Sequence, residues 1–124
     1  MDLNIDSAPA SQSDAVLREI TALYRLHVED PDIASGPRGR EYLLRQAAAV
    51  MIMAATPVDE PTPAMLELRA EGHLYTVEAA HALLQYDRLH NTSRGAVPAR
   101  DEQWDTDTAG YVRQEYRVWR AKKQ

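Results

Sequence analysis

AAAVMIMAA, residues 47–55, is a run of nine consecutive apolar residues inside a segment with the composition of a helix. At about 100° per residue such a run covers every side of a helix. A helix that is apolar all round must be surrounded by protein. Nine residues fall well short of the roughly 20 needed to span a bilayer. The run therefore predicts the central helix of a bundle, or a helix with one face in a subunit interface.

The segments on either side supply the rest of a bundle. Residues 13–29 carry Val16, Leu17, Ile20, Leu23, Tyr24 and Val28 at spacings of three and four, which is the period of an amphipathic helix. Ser13 is a candidate N-cap with Asp14 behind it, and Pro31 stops the helix. The second helix is expected over about 38–56. Its charges, Arg38, Arg40, Glu41 and Arg45, are confined to the first turns. PVDEPTP, residues 57–63, is a stiff connector with three prolines. Pro63 suits the first position of a third helix, expected to run to about residue 91.

Two stripes stand out on the third helix. Met65, Leu68, Gly72, Tyr75, Ala79, Ala82, Tyr86 and Leu89 follow a heptad seam, and Leu66, Ala70, Val77 and Leu84 form a second stripe. After the loop NTSRGAVPAR, residues 91–100, the acids Asp101, Glu102, Asp105 and Asp107 suit the start of a fourth helix. That helix is expected over about 101–122, with Thr106 or Thr108 as later starting points. Its seam is Trp104, Tyr111, Val112, Tyr116, Val118 and Trp119. No stretch alternates in the manner of a strand. The fold class is all-α, a four-helix bundle-like single domain over residues 13–124 behind a loose tail, 1–12.

Composition narrows the function. The net charge of −5 argues against a general nucleic-acid binder. The chain has no cysteine, which excludes disulfides, thiolate catalysis and Cys-ligated metals. The opening MDLNIDSAPASQSD has no apolar signal core, and with the missing cysteines this predicts a cytoplasmic protein. Six tyrosines, two tryptophans and no phenylalanine mean that every ring has a polar tip. Such rings suit half-buried rims and interfaces.

Two constellations could carry chemistry. On the third helix Glu67, Glu71, Glu78, His81 and Gln85 share a stripe, and Glu78-Ala-Ala-His81 has the Glu-x-x-His spacing of bundle metal sites. Glu71, Glu78 and His81 would be the ligands of a divalent ion, joined by His27 or His73. Only one copy of the motif is present, so an exposed acidic stripe explains it as well. His27 otherwise suits a core position on the first helix, and His90 the end of the third. SGPRG, residues 35–39, could offer backbone N–H groups to an anion, but it lacks the lysine of a phosphate loop. No serine sits in a nucleophile elbow.

The second constellation is the C-terminal helix. From Arg113 onward five bases face one acid, whereas residues 1–35 hold seven acids and two bases. Arg113, Arg117 and Arg120 share one face, with Tyr111, Tyr116 and Trp119 nearby. These six residues form a candidate partner-binding surface. The surplus of apolar helix surface favours a non-enzymatic helical protein acting through protein–protein association, as a homodimer or as a regulatory or accessory subunit of a larger partner. That reading needs no cofactor. The alternative is a small metal-binding bundle protein or enzyme built on the Glu-x-x-His site.

Overall fold

The structure, a computed structural model, describes residues 3–55 and 62–123. It is an all-α domain with four helices: α1 (Ser13–Glu29), α2 (Gly39–Ala55), α3 (Pro63–His90) and α4 (Thr108–Lys122). The connector from Thr56 to Pro61 lies outside the described residues, as do the side chains of Met65 and Leu68 from the expected seam. No strand occurs among the described residues, and none of their helices is long and apolar enough to cross a membrane.

α2 is the central helix. It packs on α1, α3 and α4. Ala47, Ala48 and Ala49 are buried completely. Three successive residues point to three sides, so this turn is enclosed all round. Methyl side chains there let three neighbours approach closely. The start of α2 is held just as tightly. A Cβ at Gly39 would stand 2.3 Å from the carbonyl oxygen of Ala34, in the 3₁₀ turn Ile33–Ser35 whose Ile33 is buried. Only glycine fits so close a backbone approach.

α1 has the bounds its periodicity predicts, but Ser13 is not its cap. A 3₁₀ turn over Pro9–Gln12 runs straight into the helix, and the Ser13 hydroxyl donates back to the Ala10 carbonyl. The segment expected to be a loose tail is seated from Leu3, which is buried. The Asn4 amide donates to the Gln12 side chain, and Gln12 Nε2 donates to the Asn4 carbonyl, at 2.9 and 2.7 Å.

α3 departs from both expected stripes. Its buried side chains are Ala79, Ala80, Leu83, Leu84 and Asp87. Tyr75, Ala82 and Leu89 of the first stripe are exposed, as are Leu66, Ala70 and Val77 of the second. No described side chain of α3 before Ala79 is fully buried. The cause is length. At about 1.5 Å per residue, the 28-residue α3 outruns the 15-residue α4, which bonds through Tyr111 to Asp87 in the last turn of α3.

α4 starts later than position 101. Asp107 caps it by accepting from the Gly110 amide at 3.0 Å. Ahead of it a 3₁₀ turn over Glu102–Asp105 buries Trp104, whose indole N–H donates to the Pro98 carbonyl. Trp104 meets Tyr111 edge to face with ring centres 5.5 Å apart.

Candidate functional site

The residues singled out on α3 stay on the surface. Glu71, Glu78 and His81 are exposed. His81 Nε2 lies 3.3 Å from the Gln85 side-chain nitrogen. Among the described residues no group of three His, Asp or Glu side chains is placed to hold a metal ion. His73 is exposed, and His90 packs on Tyr86 with ring centres 4.3 Å apart. In the SGPRG loop the Gly39 amide donates to the Gly36 carbonyl, so that N–H is already engaged.

The expected surface on α4 divides in two. Tyr111 and Tyr116 belong to the core, so neither ring can face a partner. The Tyr116 ring lies against that of the half-buried Trp119, with centres 5.2 Å apart, and Lys123 Nζ sits 4.2 Å above the Trp119 ring. Arg113 and Arg117 are exposed and Arg120 is half-buried. The surface of α4 is thus basic without the tyrosines.

Tyr111 turns inward because of a buried ionic cluster that joins three helices. Arg40 of α2 donates through Nε and Nη2 to both oxygens of Asp87 on α3, at 2.8 and 3.0 Å. The same Nη2 reaches Glu115 of α4 at 2.7 Å. The Asp87 and Glu115 side chains are 0% exposed. Asp87 also accepts from the Thr92 and Tyr111 hydroxyls. Glu115 accepts the amides of Arg94 and Gly95 and the Gln114 side chain at 2.6–2.8 Å, which ties down the loop after α3. Burial works against the Arg40 charge, but the Asp87 hydrogen bond and the two carboxylate charges outweigh it and hold the guanidinium above its usual range. Burial first, then the bond to Asp87, pushes the Tyr111 phenol up. Every carboxylate oxygen here has a partner, which marks the cluster as structural. Its sequence signal is a lone acid, Glu115, between Tyr111, Val112 and Tyr116 in an apolar seam.

A groove lies over α2. Tyr42, Gln46, Ala49, Val50 and Met53 form the floor; Ile20, Leu23, Tyr24 and His27 of α1 form one wall, and Tyr75 of α3 the other. It encloses about 360 Å³. Gln46 donates to the Tyr75 hydroxyl at 2.7 Å, and burial raises the Tyr42 phenol above its usual range. His27 therefore stands on a groove wall, not in the core. No lining residue is an acid, a lysine or an arginine. Leu17, Tyr24 of the groove wall and Val28 are exposed by 61%, 68% and 59%, at spacings of seven and four along one face of α1, so Leu17 and Val28 extend the wall outward.

Comparison of the chain with protein-family models, with curated proteins and with solved structures gives no match.

Proposed function

We propose that this is a non-enzymatic protein that works by association, and that a second copy of the chain fills the groove over α2. The observation that supports it most is the pairing of a groove with a ridge on one patch. α1 supplies both: Ile20, Leu23, Tyr24 and His27 line the groove, while Leu17 and Val28, on the same helix face as Tyr24, stand beside it. A twofold axis relates a patch to itself, so each copy must offer both halves of the fit. Ridge and groove side by side meet that condition. The groove's lining has no acid, lysine or arginine to set like charges against each other across the axis.

The area is of the right order. Leu17, Tyr24, Val28, Met53 and Tyr75 are each about half to two-thirds exposed. With whole aromatic side chains at roughly 150–250 Å², they leave on the order of 500 Å² of apolar surface. A standard interface takes about 800 Å² per partner, with a polar rim around an apolar centre.

Hydrogen–deuterium exchange at low and high protein concentration tests the proposal. The expected result is slower exchange at high concentration in residues 20–28 of α1 and 49–53 of α2, with residues 111–116 of α4 unchanged. Exchange independent of concentration throughout α1 and α2 would overturn it.

A further inference from the structure

A different face, away from the groove, carries a row of arginines. Arg113, Arg117 and Arg120 recur at spacings of four and three on α4, so the triad spans about 10 Å of helix. The chain's own acidic segment is seated against it. Arg117 grips Asp6 with both Nε and Nη2, at 2.6–3.0 Å. Those bonds hold the Asp6 carboxyl below the ordinary carboxylate range, and the charges of Arg113 and Arg120 act in the same direction.

Arg117 holds the Asp6 carboxylate, with Arg113 and Arg120 one turn to either side of it on α4. Next to it a cavity of about 200 Å³ lies between Ile5 and Asp6 on one side and Tyr116, Arg117 and Arg120 on the other. Arg120 Nε is buried there and has no hydrogen-bond partner among the described residues. The Asp6–Arg117 pair itself is half exposed on both sides, and exposed pairs of this kind are weak.

We infer that the arginine face of α4 binds an acidic peptide segment in trans, with Asp6 as its displaceable occupant. The occupant already on the face defines the chemistry. It is a carboxylate on a short segment whose half-buried Ile5 lies beside it. Guanidinium groups spread along a helix match spaced carboxylates better than one compact phosphate, and each accepts a carboxylate in a fork. A segment with several acids would keep the Arg117 contact and add Arg113 and Arg120.

Fluorescence anisotropy with labelled hexaglutamate at low salt tests this on the full chain. Asp6→Asn should bind about twofold to fivefold more tightly than the unsubstituted protein, because the competing carboxylate is gone. Arg117→Glu with Arg120→Glu should bind at least about tenfold more weakly, with helical content checked by circular dichroism. If that pair loses helix, the exposed Arg113→Ala is read instead and should still weaken binding. Equal affinities for Asp6→Asn and the unsubstituted protein would overturn the inference. So would hexaglutamate binding that survives the arginine substitutions. Displacement by tripolyphosphate at lower concentration than by unlabelled hexaglutamate would also overturn it, and would make the face a phosphate surface.

Discussion

Arg40 stands between two carboxylates that no water reaches, so its removal leaves charge buried without a counter-ion. Breaking a buried pair from one side costs about 3–5 kcal/mol. Arg40→Met is therefore expected to lower the urea unfolding free energy by that amount. A loss below about 1 kcal/mol would show that water reaches the carboxylates. Tyr111 gives a pH signature. Its phenol is raised above the ordinary value of 10.0, so the folded state keeps a proton that the unfolded chain releases. The stability this confers is intact below pH 10 and declines as pH rises beyond it, by up to about 1.4 kcal/mol per unit. Unfolding measured at pH 9 and pH 11 should show that decline, and Tyr111→Phe should flatten it. Some slope will remain, because Tyr42 is raised as well. Neither residue's role was legible in the sequence. Arg40 looks like one more charge in a polar first turn, and its partners lie 47 and 75 positions away.

Helix ends were legible where local chemistry decides them. Pro31 and Pro63 mark their boundaries within a residue or two, because a proline ring dictates the backbone wherever it sits. The start of α4 was less legible because the acids from Asp101 to Asp107 suit a helix start anywhere along the run; Asp101 accepts the Gln103 amide at the head of the 3₁₀ turn, and Asp107 accepts the Gly110 amide at the head of α4. The faces of α3 were hidden for another reason. Periodicity reports which residues could pack, whereas the length and placement of α4 decide which do. Two glycines test the packing with opposite signs. A Cβ on Gly72 meets nothing within 4 Å, so Gly72→Ala should stabilise α3 by about 0.5–1 kcal/mol through helix propensity. Gly39→Ala should destabilise by about 1–3 kcal/mol, since its methyl runs into the Ala34 backbone. Thermal unfolding of the two variants reads both, and a stabilised Gly39→Ala would refute the close approach at the start of α2.

At the scale of the molecule, the apolar run at residues 47–55 announced an enclosed helix, and α2 is enclosed by three neighbours through residues 47–50 and at Ile52, whereas Met53 and Ala55 are exposed. The same run left open how much apolar surface the other helices would keep. α1 keeps Leu17, Tyr24 and Val28, and the first half of α3 keeps Leu66, Leu74 and Val77. The groove itself was not legible, because its floor and two walls come from three separate helices. The direct test of association through that groove is sedimentation equilibrium over a range of concentrations, on the unsubstituted protein and on Tyr24→Glu. The account predicts a mass that rises with concentration toward twice 13.9 kDa for the first, and a constant 13.9 kDa for the second with its helical content retained. A single-chain mass for the unsubstituted protein at every concentration would contradict it, as would a dimer that Tyr24→Glu leaves intact.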